Sequence, residues 1–207
     1  MAEPGLFHLT DDEADAIGEL FNIGMGEATA SVGAVLGEEV VLSVPAFAVS
    51  SRRRIASELE PEVASGDAAR ICAVRGAFSG PFTGEAMLLF PERGTMALAS
   101  RLVPVDPAAD APGEMEQDVL TEIGNILMNG CLASLSNLVE GEIAGTLAVY
   151  DSGPARSFIG TDDTPVLFVR IDIALAAGDA RGHALFLLDI TSLDAFRQAI
   201  RRSLSNL

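Results

Sequence analysis

The sequence predicts an α+β fold made of two similar halves, in which long helices pack on a mainly antiparallel sheet. The first observation is a repeat: residues 15–22 (DAIGELFN) return 103 positions later as residues 118–125 (DVLTEIGN), and both read D-x3-E-x2-N. The second is the order of elements, since each half reads as a helix, three strands and a helix. With 207 residues and 49% hydrophobic content, the halves can share one sizeable core.

The first motif lies on a helix predicted to run from Asp11 to Leu36. Thr10 and Glu13 form a capping box at its start, and Gly37 provides its end. Each glycine inside a helix lowers helix stability by about 1 kcal/mol, so the glycines found here predict close approach by another backbone. The alternative is that the helix breaks near Gly26. The glycines are Gly24, Gly26 and Gly33.

The motif residues Asp15, Glu19 and Asn22 share one stripe, because positions i, i+4 and i+7 of a helix fall within about 60° of one another. The opposite side is apolar, which predicts a helix buried on one side and exposed on the other. Surface helices carry many such residues, so it is the repetition that favours a function over a solvated face. In the second helix, predicted over 114–139, the stripe is Asp118, Glu122 and Asn125.

The other elements follow from short apolar runs separated by turn-forming residues. Pro45 is expected at a strand edge or near a strand end. The basic triplet 52–54 is interpreted as a solvated loop rather than an anion site. The first half is predicted to contain strand 39–49, a partly helical segment at 53–59, strands 69–78 and 84–90, and helix 92–102.

The second half is predicted to repeat this order after a Pro/Ala/Asp-rich linker, residues 104–113. The repeats therefore span about 9–103 and 114–205 of a single domain, residues 1–207. After the motif helix come strand 143–150, loop 151–165, a hairpin of strands 166–175 and 182–188, and helix 191–204.

Composition excludes several classes of function. A net charge of −17 argues against binding to nucleic acid or to anionic membranes. The N-terminus lacks a signal peptide pattern, and no run is apolar enough to span a bilayer. Cys72 and Cys131 lie in apolar surroundings, which indicates reduced core residues of a cytoplasmic protein.

The sequence also lacks the usual catalytic patterns. His8 and His183 are the only histidines; they give no zinc spacing and little basis for a Ser-His-Asp triad. No phosphate-binding or dinucleotide-binding glycine motif is present. We therefore expect no metal or cofactor of the protein's own, and the Glu and Asn side chains of the two stripes remain as the chemical groups of interest.

The repeated motif resembles the signature of the CheC, CheX and FliY group of chemotaxis phosphatases, in which a Pro follows the Asn by 23 positions. The first copy matches from Asp15 to Pro45, whereas the second has Ala148 where the Pro would stand. Two copies in about 200 residues resemble CheC itself; FliY-like chains add a motor-binding domain that we do not expect here. The resemblance implies a pseudo-twofold fold with two exposed motif helices.

The resemblance also implies a mechanism, the hydrolysis of an aspartyl phosphate on a CheY-like response regulator. Asn22 and Asn125 would orient the attacking water, and Glu19 and Glu122 would pair with a Lys of the regulator. The regulator would provide the phosphoaspartate and Mg²⁺. A CheD-like protein is a further partner of some family members, and the alternative function is a non-catalytic adaptor or motor-associated module. Two acids would support the helix face or the docking surface: Asp15 and Asp118.

The two predicted sites differ near their asparagines. One turn beyond the motif, the first helix has Gly26, which leaves space, and the second has Asn129, which adds an amide. Only the first copy keeps Pro45. The second helix has Leu127 where the first has Gly24, so it should be stiffer and better preorganised, which favours the second site.

Overall fold

The computed structural model describes residues 10–63, 70–106, 109, 111–139, 141–178, 180–189, 196, 198, 201 and 202. The elements, in chain order, are α1 (Asp11–Leu36), β1 (Val40–Leu42), β2 (Ala46–Ser51), α2 (Arg52–Val63), β3 (Ile71–Ser79), β4 (Gly84–Pro91), α3 (Glu92–Ala99), α4 (Glu114–Val139), β5 (Ala144–Gly145), β6 (Val149–Gly153), α5 (Ala155–Ile159), β7 (Pro165–Leu175) and β8 (Arg181–Asp189).

The eight strands form one sheet in the order β1-β7-β8-β4-β3-β5, with β2 also paired to β7 and β6 also paired to β3. Every pair is antiparallel, which confirms the predicted α+β class. The two halves exchange their outer strands. The short strands β1 and β2 of the first half lie on β7 of the second, and β5 and β6 of the second half lie on β3 of the first.

Helices cover both faces of the sheet, and alternate strand residues enter two different cores. In β4, Leu88 and Phe90 pack with the apolar sides of α1 and α4. Met87 and Leu89 between them pack with residues of α2 and α5 on the other face. This alternation follows from the two-residue period of a strand. The two motif helices therefore lie together on one side of the sheet.

The motif helices approach each other closely at Gly130. A Cβ atom placed there would lie 2.5 Å from the Cβ of Ala28 and 3.5 Å from the carbonyl oxygen of Gly24. Gly33 is approached by the carbonyl oxygen of Glu38 after the helix has ended. The prediction of close approach was thus right for Gly24 and Gly33. It was wrong for Gly26, where an added Cβ would meet no described atom within 4 Å. The helix α1 runs through Gly26 without a break.

The same substitution should have opposite effects on stability at two of these glycines. We expect Gly130→Ala to lower the free energy of unfolding by about 1–2 kcal/mol, because overpacking outweighs the gain in helix propensity. Gly26→Ala should raise it by up to about 1 kcal/mol, since nothing opposes the added methyl group. Chemical denaturation of both variants measures the difference. A Gly130→Ala protein that is as stable as the wild type would mean that the helices can move apart.

Two predicted strands are each divided by a short loop. Strand 39–49 is divided into β1 and β2 by residues 43–45, called here the first loop. Strand 143–150 is divided into β5 and β6 by residues 146–148, the second loop.

Loop 151–165 contains α5, a helix that was not predicted because it has only five residues. Most of the predicted helix 191–204 and all of residues 1–9, including His8, lie outside the described residues.

Residues 52–54 were interpreted as a solvated loop, but all three belong to helix α2, and the first of them is largely buried. Arg52 begins α2, and its side chain is only 14% exposed. Its guanidinium donates to the carbonyl oxygen of Ile159 and to Glu85, each at 3.0 Å. Arg53 and Arg54 are exposed, as expected. The first arginine of the triplet thus joins α2 to α5 and to the sheet.

Both cysteines are free and buried, as predicted. Burial raises the pKa of the Cys72 and Cys131 thiols, which keeps them protonated and unreactive. Among the helices that the structure describes, none has both the length and the apolar character needed to cross a membrane.

Candidate functional site

The first motif stripe lies on the solvent side of α1. Asp15, Glu19 and Asn22 are exposed, while Ile17 and Phe21 on the opposite side are completely buried. The capping box at Thr10 and Glu13 is present, which fixes the start of the helix, and Gly37 ends it in a left-handed conformation. The predicted stripe is therefore presented on a well-defined, continuous helix.

The second stripe differs from the first at its asparagine. Asp118 and Glu122 are exposed, but Asn125 is half-buried. The side-chain oxygen of Asn125 accepts a hydrogen bond of 3.1 Å from the backbone N–H of Ala148 in the second loop. Asn22 has no hydrogen-bond partner among the residues that the structure describes. The two asparagines thus occupy equivalent helix positions, but only Asn125 is half-buried and hydrogen-bonded to a loop.

The two loops are held to their neighbouring strands in the same way. In the first loop, Ser43 N–H donates to the oxygen of Asp172 at 3.0 Å, and the N–H of Asp172 donates to the Ser43 hydroxyl at 2.9 Å. In the second loop, Thr146 N–H donates to the oxygen of Ala77 at 2.8 Å, and the N–H of Ala77 donates to the Thr146 hydroxyl at 3.0 Å. Each loop therefore leaves its strand with the same local geometry.

Each loop presents an exposed aliphatic side chain next to a buried residue. Val44 is 78% exposed and Leu147 is 85% exposed, while the residues that follow them, Pro45 and Ala148, are buried. Ile23, which follows the first motif asparagine, is 52% exposed. These apolar groups were not predicted from the sequence. The recurrence of an aliphatic residue 103 positions apart, just before the position of the Pro, was the available signal.

The space one turn beyond the motif is open in the first half and occupied in the second. Gly26 borders a groove of about 560 Å³ between α1 and the segment that leads into β1. In the second half Asn129 is exposed, and its side-chain oxygen lies 3.6 Å from where a Cβ of Gly145 would stand. Asn129 thus reaches over β5. This is the difference that the sequence predicted.

The stripe carboxylates are available to a partner's cation. Among the described residues, none of them has an ion-pair partner, and the whole chain contains no lysine. No group of three or more His, Cys, Asp or Glu side chains within the described part of the chain is arranged to hold a metal ion. These carboxylates are Asp15, Glu19, Asp118 and Glu122.

The side chains of the two stripes can position a water molecule and a cation, but they include no strong nucleophile. An amide can both donate to and accept from a water molecule, and a carboxylate one turn away can pair with a cation. The only described histidine, His183, is bound to Asp172 through Nδ1 at 2.8 Å, in keeping with a structural role. Chemistry at either stripe therefore requires a partner that brings the electrophile and any metal.

Comparison with known proteins identifies the fold. No protein-family model matches the chain. The flagellar motor switch phosphatase FliY of Bacillus subtilis is 24% identical over 188 residues, which cover 85% of this chain and 46% of FliY. The chain thus spans about half the length of this curated relative.

Solved structures give the same result. FliY of Thermotoga maritima has a TM-score of 0.73 at 16% identity, covering 95% of this chain and 100% of that one. The FliM middle domain of H. pylori has a TM-score of 0.67 at 12% identity, covering 92% and 99%. The chemotaxis protein CheX of Desulfovibrio desulfuricans has a TM-score of 0.55 at 12% identity, covering 83% and 99%.

These similarities confirm the predicted resemblance at the level of the fold, which this chain shares with FliY, CheX and FliM domains. The FliY relative is named as a phosphatase and the FliM domains are not, so the fold by itself does not decide between an enzyme and an adaptor. FliM of H. pylori has been solved in a complex with FliG. The fold thus occurs in proteins of the flagellar motor and of chemotaxis.

Proposed function

Because this chain has the CheC-like fold of FliY, CheX and FliM, we propose that it is a phosphatase that hydrolyses the aspartyl phosphate of a CheY-like response regulator. The observation that supports this most strongly is the exposed stripe of Glu19 and Asn22, which repeats a pattern found again on α4. The amide of Asn22 is free of hydrogen bonds within the described structure, as a water-positioning group should be before its partner arrives.

The proposed reaction needs little from this chain beyond positioning. Asn22 orients a water molecule whose oxygen attacks phosphorus as the bond from phosphorus to the aspartate oxygen breaks. The products are the free aspartate carboxylate of the regulator and inorganic phosphate, and the proton of the water leaves to a phosphate oxygen or to solvent. The aspartate carboxylate is a good leaving group, and the regulator's Mg²⁺ would stabilise the charge on the phosphoryl oxygens.

Docking would combine charge with apolar contact. Glu19 and Glu122 would each pair with a lysine of a regulator at their own site, and Asp15 and Asp118 would add negative charge beside them. The exposed aliphatic tip of the adjacent loop would contact apolar surface around the phosphorylation site. With a net charge of −17, the chain would also attract a basic partner over a distance.

A second candidate function is an adaptor that holds a regulator or a motor protein without hydrolysis. The likeness to FliM domains favours it, because one FliM was solved bound to FliG. A CheD-like protein is a further proposed partner that could regulate either function. In both cases the exposed stripes would serve as the contact surface.

The decisive experiment follows phosphate loss from a phosphorylated CheY-like regulator in the presence of Mg²⁺, with and without this chain. A phosphatase accelerates the loss at substoichiometric amounts. An adaptor binds the phosphorylated regulator and leaves its rate of phosphate loss unchanged. Binding measured in parallel by calorimetry or fluorescence distinguishes an adaptor from a protein with no interaction.

A further inference from the structure

We propose that the residue 23 positions after each motif asparagine determines whether that asparagine can work: Pro45 leaves the first site open, and Ala148 closes the second. This inference rests on the proposed phosphatase function and assigns it mainly to the first site. Its starting point is the 3.1 Å hydrogen bond from the N–H of Ala148 to the side-chain oxygen of Asn125.

The backbone nitrogens of Pro45 and Ala148 occupy equivalent places. Each lies two residues after a hydroxyl residue that exchanges the same two hydrogen bonds with its neighbouring strand. Each follows an aliphatic residue that points into solvent, and each is itself buried. The two loops thus have matching contacts, and they differ in the presence or absence of one N–H.

Proline has no N–H, so the first loop cannot donate to Asn22 as the second loop donates to Asn125. The exposure of the two side chains agrees with this difference, since Asn22 is exposed and Asn125 is half-buried. The bond turns the acceptor oxygen of Asn125 towards the loop and away from an incoming water. The bond uses one of the two lone pairs of this oxygen and fixes the orientation of the amide. Turning the amide to face the water would require this bond to break first.

The surroundings of the two asparagines also make the first site more open than the second. Gly26 leaves the first site open on the side of the groove, whereas in the second half Asn129 stands at this position and lies over β5. An intramolecular hydrogen bond of ordinary net strength shifts such a competition by about twofold to tenfold. We therefore expect the Asn22→Ala variant to lose more activity than the Asn125→Ala variant, by a factor in this range.

The main test uses Asn22→Ala as the background, so that only the second site can act. Adding Ala148→Pro removes the N–H and should raise kcat about twofold to tenfold at saturating phosphorylated regulator. The loop should tolerate proline because its counterpart already contains one. Adding Ala148→Gly instead keeps the N–H and should leave the rate as in the background. A fall in rate with Ala148→Pro, in a protein that remains folded by circular dichroism, would show that the bond preorganises Asn125 and would overturn the proposal.

The reciprocal test uses Asn125→Ala as the background and adds Pro45→Ala, which gives the first loop an N–H. We expect kcat to fall by about twofold to tenfold. An unchanged rate would overturn the role of Pro45. Equal residual rates of the two single asparagine variants would overturn the ranking of the sites.

A measurement without turnover separates this inference from the proposed function. Amide hydrogen exchange at Ala148 should be slower in the wild type than in Asn125→Ala, because the hydrogen bond protects the N–H. If the chain shows no phosphatase activity, the proposed function fails while this difference still reports the bond. Equal exchange in the two proteins would overturn the inference even if the wild type is an active phosphatase.

Discussion

Replacing both motif asparagines, Asn22→Ala together with Asn125→Ala, is expected to lower the rate of regulator dephosphorylation by about 10²- to 10³-fold. The reason is that the stripes offer no other group that can both donate to and accept from a water molecule. Removal of one positioned hydrogen-bonding group commonly costs this much. Single-turnover loss of phosphate from the phosphorylated regulator measures the effect. Binding of the phosphorylated regulator should persist because the carboxylates are intact.

A matched control is Asn137→Ala, which removes an exposed asparagine of α4 outside the motif and should leave the rate unchanged. A double variant that still accelerates phosphate loss like the wild type would exclude the proposed water-positioning role. Loss of binding together with loss of activity would mean that the asparagines serve docking, as the adaptor function requires.

The second large effect is expected from charge reversal at the stripes, with Glu19→Lys and Glu122→Lys combined. If each glutamate pairs with a lysine of the regulator, reversal places like charges in contact, which costs several kcal/mol. We therefore expect the dissociation constant to rise by about 100-fold or more. Wild-type binding should also weaken with added salt, because exposed pairs are screened over about 8–10 Å.

Glu58→Lys provides the control, since Glu58 lies on α2 on the other side of the sheet, with a 2.7 Å ion pair to Arg54. It changes the net charge by the same amount per substitution but should leave affinity nearly unchanged. Equal weakening by reversal on either side of the sheet would mean that overall charge rather than the stripes governs association. Salt-independent binding that survives reversal at the stripes would place the interface elsewhere.

The long helices were predictable because the signals that define them are local. Thr10 and Glu13 bond reciprocally at 3.0 and 3.2 Å, as the capping box requires, and Gly37 adopts a φ of 68° at the other end of α1. The apolar periodicity between these points is interrupted by no proline. The predicted bounds of α1 and α4 therefore match those observed.

The strand breaks were not predictable, because they depend on partners distant in sequence. Ser43 and Thr146 each end a short strand by bonding to a residue of the other half's hairpin. From sequence, residues 39–49 and 143–150 therefore each read as one continuous apolar run. The exchange of outer strands between the halves has no local signature for the same reason.

The two stripes and a difference between them were predictable from the sequence, but the hydrogen bond that distinguishes their asparagines was not. The sequence favoured the second site on the stiffness expected from Leu127. We propose the opposite order, because Asn125 is held by the N–H of Ala148. That bond joins a helix to a loop brought together only by folding. The sequence shows that Ala148 stands where the first half has Pro45. The effect of this difference on Asn125 could not be predicted without the contact between them.

The strand exchange has a consequence for the origin of the molecule. A lone half would leave the edge of β3 or β7 without the short strands that cover it, so a single half with this fold would need a second copy to cover that edge. Joining the two copies converts dimerisation into an intramolecular event and removes its dependence on concentration. It also frees each copy to evolve separately, because a symmetric dimer must change both of its sites at once. Within one chain the two halves can therefore differ at a single position, as they do at Pro45 and Ala148.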